Sequence, residues 1–162
     1  MAILLDYEGI EGETSDKNNE GCIDCEGWRF KTDRSVTSNT STKGDRESSN
    51  ATISDLEITK YMDSSSLRLF IESLCGIGKE VRLILTKTGK GDGSDLYMEY
   101  ILKNAIISGY EVGGTADDIN RPTENITISF VEIEARYTPY DEDGNAIAAS
   151  SVGFDTATNT KK

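Results

Sequence analysis

Apolar residues recur along this chain at every second position in one segment after another, and only once at the spacing of a helix. That contrast bounds the fold more tightly than any other feature. A period of two belongs to a strand with one buried face, and a period near 3.6 to a helix with one apolar stripe. Strands are expected over 2–7, where Ile3, Leu5 and Tyr7 alternate with Leu4 and Asp6, and over 22–30, which carries the single tryptophan, Trp28. Residues 53–61 set Leu56, Ile58 and Lys60 on one side and Asp55, Glu57 and Thr59 on the other, and 81–86 bring Val81, Leu83 and Leu85 together. A long strand over 96–112 is bent or bulged at Gly109. It is followed by 125–137, in which Ile126, Ile128 and Phe130 give way to Val131, Ile133, Ala135 and Tyr137. That one-residue slip predicts a β-bulge at Phe130 and Val131. A turn at Asp143-Gly144, a weak strand over 146–154 and a frayed tail over 156–162 close the chain.

The single helical pattern places Ser66 as N-cap and Leu67, Phe70, Ile71, Leu74 and Cys75 at i, i+3, i+4, i+7 and i+8. Gly76 and Gly78 stop the helix, either being able to take a left-handed end without a Cβ penalty. A helix of about three turns is marginal alone, so the stripe is expected to form the helix's core packing against the strands. On that reading Leu74→Asp abolishes folded protein. The whole chain reads as mainly β, an antiparallel β-barrel or sandwich with one α-helix packed on it. It fits a single domain over 1–162, whose 162 residues suffice for a real core. One stretch contributes little to that core. Residues 31–50 are rich in Ser, Thr, Lys, Asp and Asn, with Val36 as the sole large apolar residue, and read as an extended loop of functional or partner-ordered character.

The chemistry that the residue types allow is narrow. There is no histidine, so Ser-His-Asp, Cys-His and most zinc arrangements are excluded together. Cys22-x-x-Cys25 has no second pair, and on a regular strand its thiols point to opposite faces. With Cys75 the count is three, which does not make a disulfide scaffold. Gly78-Lys79 lacks the rest of a phosphate loop, having Ser73 and Glu80 where glycine and Ser or Thr are required. Asp141, Asp143 and Asn145 have calcium-loop spacing, but Gly144 is misplaced and Val152 stands at the twelfth position, so a hairpin turn is the better reading. No catalytic, metal or cofactor residues are assigned. A formal net charge of −12, from 29 acidic against 17 basic residues, argues against nucleic acid and anionic membranes as partners, and no apolar run reaches the ~20 residues of a membrane span. The opening residues carry no conventional signal peptide, so synthesis in the cytoplasm is expected, with any export by a route that reads no such signal.

Three stretches are more specific. Residues 53–69 (ISDLEITKYMDSSSLRL), through Thr59, Lys60, Tyr61 and Asp63, resemble the strand-to-helix segment of the haemolysin-coregulated protein (Hcp) family, the tube subunits of bacterial type VI secretion systems. Residues 121–140 (RPTENITISFVEIEARYTPY), with Glu124 and Tyr137, are similar to the family's late strand, and 8–13 (EGIEGE) to its opening turn. The resemblance implies a barrel-like subunit without catalysis that closes into a hexameric ring. Rings would stack as a tube inside a sheath, tipped by a spike protein and able to hold effector cargo. It implies the chain itself, sheath, spike and effectors as partners, no cofactor, and secretion to the outside or into a target cell. It also makes the loop a ring-stacking element, with Ser35, Val36, Thr37, Lys43, Asp45, Arg46 and Glu47 as the contacting residues. A phage-type tail-tube protein, a monomeric small-ligand barrel and an acidic-site hydrolase are the competing readings.

Overall fold

The computed structural model describes residues 1–38, 46–91 and 93–162. In chain order the elements are β1 (Ala2–Tyr7), β2 (Ile23–Cys25), β3 (Gly27–Arg29), β4 (Thr32–Asp33), β5 (Val36–Ser38), β6 (Arg46–Ser48), β7 (Thr52–Ile53) and β8 (Leu56–Tyr61). Then come α1 (Ser66–Cys75), β9 (Lys79–Thr88), β10 (Ser94–Gly113), β11 (Thr123–Ser129), β12 (Glu132–Tyr137), β13 (Ser150–Asp155) and β14 (Thr160–Lys161).

The twenty-residue strand β10 belongs to two layers. Its first half pairs with β9 and β12, in a sheet of order β2-β1-β9-β10-β12-β13-β14. Its second half pairs with β11, which continues to β8 and β3. All these pairings are antiparallel. The passage from one layer to the other is made at Asn104, whose φ of 52° is left-handed, and the register with β9 shifts between Leu102 and Ala105. Gly78 permits this corner, since a Cβ there would lie 1.8 Å from the Asn104 side-chain oxygen.

The core fills the space between the layers. Leu5, Tyr7, Ile23, Val81, Leu83, Leu85 and Leu102 from the first sheet meet Leu56, Ile58, Ile107, Ile126 and Ile128 from the second, with Leu69 of the helix among them. At roughly 1.5–3 kcal/mol for each fully buried large side chain, this interlayer packing dominates the stability of the fold.

Four expectations are corrected by this topology. The slip at Phe130 and Val131 is a sheet change. β11 ends at Ser129 and β12 begins at Glu132 because their partner β10 turns its corner between Lys103 and Ala105, and both chains must round it together. The strand over 22–30 is likewise two strands, β2 in the first sheet and β3 in the second, divided at Glu26. The tail over 156–162 is not wholly frayed, since β14 pairs with β13. Of the stretch 31–50, expected as an extended loop, the described residues are paired: β4 with β7 and β5 with β6, as the two sides of an antiparallel arm, while residues 39–45 lie outside the described residues.

The helix departs most from expectation. It begins at Ser66, after Ser65, and ends on an extended Gly76 (φ −70°, ψ 158°) instead of a left-handed glycine. Its inward residues are Ser66 and Leu69, with Glu72 and Ser73 half-buried, whereas Leu67, Phe70, Ile71, Leu74 and Cys75 are exposed, Leu67 by 79% and Leu74 by 67%. The expected core-packing stripe is therefore the outer face of the helix in the single chain. The physical reason lies in what the helix stands on.

Candidate functional site

Beneath the first turn of α1 is a buried polar cluster. The alternation of β8 carries Leu56, Ile58 and Lys60 inward, and that of β11 carries Glu124, Ile126 and Ile128 inward. Lys60 and Glu124 are directly paired across the two strands, and both side chains are 0% exposed. Their Nζ to Oε2 distance is 2.6 Å. The same ammonium donates to Asp63 Oδ1 at 2.9 Å and to the Tyr61 carbonyl at 2.8 Å. Ser66 Oγ donates to Glu124 Oε2 at 2.9 Å and accepts from the Asp63 N–H at 2.9 Å. Tyr110 of β10 donates its hydroxyl to Glu124 Oε1.

Each charge is thus paired and each partner hydrogen-bonded, the condition under which burial of ions is tolerated. Burial pushes the Asp63 carboxyl up, but its bonds to Lys60 and to Ser65 more than reverse this and hold it below the ordinary carboxylate range. The Tyr110 phenol is raised, first by burial and then by its bond to Glu124. Asp63 also braces the turn that leads into the helix, its Oδ1 accepting from the Ser65 N–H at 2.9 Å, while the N-cap is Ser65, one residue before the expected Ser66, and makes no side-chain capping bond. The cluster seats a hydrophilic face of α1 on the sheets. Glu72, further along that face, pairs with Lys79 at 3.1 Å. With Phe70 reaching only as far as the Tyr110 ring, 5.8 Å between centroids, the apolar stripe is turned outward.

A second apolar surface lies on the first sheet. Ile133, Ala135 and Tyr137 of β12 are paired with Leu102, Tyr100 and Met98 of β10 and therefore share their core-side face. Val152 and Phe154 of β13 continue it in register with Ala135 and Ile133. Ile133 packs against the main core, whereas Tyr137 and Val152 on the same face are 50% and 60% exposed.

Of the residues singled out by sequence, Lys60, Asp63 and Glu124 converge in the buried cluster, and Tyr61 contributes its carbonyl. Thr59 donates to Asn125 Oδ1 at 2.9 Å on the outer face, and Tyr137 lies apart at the end of β12. Ser35 donates its N–H to Ser49 Oγ at 3.0 Å, and Val36 is half-exposed on the arm. Thr37 stands opposite Glu47, and Ser38 opposite Arg46. Lys43 and Asp45 lie outside the described residues. Sequence reasoning missed Tyr110 and Ser66 as members of the cluster, although the inward position of Lys60 was legible and Glu124, inward with Ile126 and Ile128, is its mate.

The chemistry available is structural. Cys22 packs with Leu4 and Ile84 on one side of the first sheet and Cys25 in the main core on the other, and burial raises their thiols to about 11 and about 12, keeping them protonated. Among the described residues no group of three potential ligands stands close enough to hold a metal ion, and no helix is long and apolar enough to cross a membrane. The large depression beside β1 is an open groove of about 870 Å³ lined by polar residues such as Asp6, Glu11, Arg68 and Arg82, unlike the apolar cavity of a small-ligand barrel.

Comparison with known proteins agrees with this picture. The model of a family described as "Type VI secretion system effector, Hcp" matches residues 4–137. The protein Hcp1 of Pseudomonas aeruginosa is 33% identical over 95 residues, a match that covers 57% of this chain and 56% of that relative's length. A solved structure described as a type six secretion system protein superposes with a TM-score of 0.89 over 99% of both chains at 23% identity. The crystal structure of Hcp1 from Salmonella typhimurium gives 0.73 over 99% of this chain and 98% of its own, at 21% identity. At those identities the two structures establish the fold.

Proposed function

Because the chain belongs to the Hcp family of type VI secretion system proteins, a structural and non-enzymatic family, we propose that it is a subunit of the secretion tube. Six copies close into a ring, rings stack into a tube within the sheath, and the spike-tipped tube is driven outward with effector cargo in its lumen. The chain is made in the cytoplasm and leaves the cell through that machine. The observation that carries this reading is the inverted helix, because a folded chain that leaves such an apolar face in water needs a neighbour to finish it.

Stacking is assigned to the arm, through Ser35, Val36, Thr37, Lys43, Asp45, Arg46 and Glu47, since a polar ribbon whose strands pair with each other and with neither layer is free to meet an adjacent ring. Deletion of residues 36–46 is expected to leave single rings in negative-stain images and to prevent tubes at every protein concentration. Tubes of normal length from the deletion variant would refute the stacking role, and wild-type protein that stays monomeric at high concentration would refute the tube.

A further inference from the structure

We propose that residues 8–21, the connection between β1 and β2, are an acid-opened strap: a loop that is clasped to the rest of the chain through its carboxylates and lets go, when they are protonated, while the two layers stay folded. The inference concerns the single chain and does not rest on the tube reading.

The strap is built to move as one piece. Its two legs are bonded to each other, the Gly12 N–H donating to the Gly21 carbonyl at 2.8 Å and the Thr14 N–H to the Cys22 carbonyl at 3.2 Å. They lie so close that a Cβ on Gly12 would stand 2.3 Å from the Cys22 carbonyl oxygen, an approach that only glycine permits. Ile10 is the one large apolar residue of the stretch and is buried. Past Ile10 the strap offers the layers no large apolar side chain, so its closure rests on polar ties.

Those ties run through three carboxylates to separate elements. Glu8 Oε2 accepts from the Glu80 N–H of β9 at 2.9 Å. Glu13 Oε1 accepts from the Ser64 N–H, in the turn before α1, at 2.9 Å, and its Oε2 lies 3.6 Å from the Arg121 guanidinium. Asp16 accepts from the Ser94 hydroxyl at the start of β10. The Asn18 side-chain amide adds a bond to the Ser94 carbonyl at 3.1 Å, the Glu8 N–H one to the Glu80 carbonyl at 3.2 Å, and Arg68 one to the Gly9 carbonyl at 3.5 Å.

A hydrogen bond to an ionised acceptor is roughly twice as strong as a neutral one, so protonation weakens the three carboxylate clasps together and cancels the attraction of Arg121 for Glu13. The other charged groups nearby are Asp6, Glu80 and Arg82 around Glu8, and the Cys22 thiol near Asp16. The Ser94 hydroxyl, against a smaller cost of burial, holds the Asp16 carboxyl below the ordinary carboxylate range. A group lowered in the folded state gives its stability above the unfolded value, so the Asp16 clasp is complete above pH ~4 and is lost as pH falls through the lower folded value.

Three thiols make the opening visible. Glu11, Asn18 and Glu20 of the strap line the groove beside β1 together with Cys22, at the strap's base, and Ile84 of β9. Cys22 is buried there, Cys25 is buried in the main core, and Cys75 is exposed on the helix. Cys22 therefore reports on the strap, Cys25 on the fold and Cys75 on the reagent.

The test labels dilute protein with a pyridyl disulfide, which still reacts in acid, and reads each cysteine by peptide mass. Between neutral pH and pH ~3 the Cys22-to-Cys75 ratio in wild type is expected to rise about tenfold or more while Cys25 remains protected. At neutral pH, Asp16→Ala and Glu13→Ala are each expected to raise Cys22 labelling roughly threefold to tenfold, the scale of one charge-assisted bond on a partly exposed group. Ser94→Ala removes the Asp16 clasp from the β10 side and replaces a strap variant that does not fold. Cys22 labelling that stays low in acid and in the variants would overturn the strap. So would labelling that rises only together with Cys25, since the loop would then open only with the whole fold.

Discussion

Strand β9 and helix α1 are both amphipathic, yet they spend their apolar residues differently. On β9, Val81, Leu83 and Leu85 point into the space between the layers and are 0%, 0% and 4% exposed. On α1, all five apolar positions at helical spacing are exposed, and Ser66, Glu72 and Ser73 lie toward the chain. The difference arises from the surface on which each element lies. β9 is bounded by two strands in register and covered by a second layer, so its period of two has one interior to choose. The helix lies over the ends of β8 and β11, where a lysine, a glutamate and an aspartate already need partners, and its first turn supplies them. Amphipathicity states that a face requires burial. It does not state in which molecule.

The sharpest way to break this comparison is to place the same substitution on both elements. Leu83→Asp puts a carboxylate into a site with no exposure, inside the apolar cluster of the main core. It is expected to abolish the cooperative transition, since such changes cost at least as much as the 2–5 kcal/mol of a Leu→Ala cavity. Leu74→Asp is expected to shift the chemical-denaturation midpoint of the monomer within the error of the measurement. Loss of folded protein in both variants would mean that the stripe is buried in the monomer after all.

Next in size is the cluster that holds the helix in its inverted pose. Lys60→Met leaves Glu124 buried with Ser66 and Tyr110 as donors but without its counter-charge. Urea titration is expected to show a loss of about 3–5 kcal/mol. The double variant Lys60→Met/Glu124→Leu removes the stranded charge and should regain the greater part of that loss. Equal stability of single and double variants would show that the carboxylate is not confined as described.

Much of the architecture was legible because most strands obey a local rule. β1 occupies the residues its alternation marks, and the inward set of β8 was readable down to Lys60, the first sign of the clamp. What the alternation does not encode is the corner. Cys22 to Phe30 and Asn125 to Tyr137 each read as one strand because the dipeptide rhythm is interrupted only briefly at Glu26 and at Phe130. Only the pairing with β10 shows that the chain has changed layer. The arm carries no strand signal in the sequence because its strands are two or three residues long and paired with each other, too short for any periodicity. The helix face was misassigned for a different reason. The stripe is apolar as its spacing indicates, but the rule that buries such a stripe within its own chain assumes one molecule.

The smallest effect concerns the point where the two regions meet. Tyr7 ends β1 inside the main core, where its hydroxyl is buried without a hydrogen-bond partner, and burial together with the nearby Glu72 carboxylate of α1 pushes its phenol up to about 12. An unfolded tyrosine loses its proton near pH ~10, so the folded state holds the proton longer. The stability linked to this group is therefore complete below pH ~10 and is lost as pH climbs through the folded value of about 12. Tyr7→Phe removes the unpartnered oxygen and is expected to raise stability at neutral pH by ~1 kcal/mol in urea titration. It should also make the alkaline decline shallower, with Tyr110 supplying what remains. A loss of stability on this substitution would show that the hydroxyl has a partner, and would place the inward face of the helix closer to the core than its half-buried Glu72 implies.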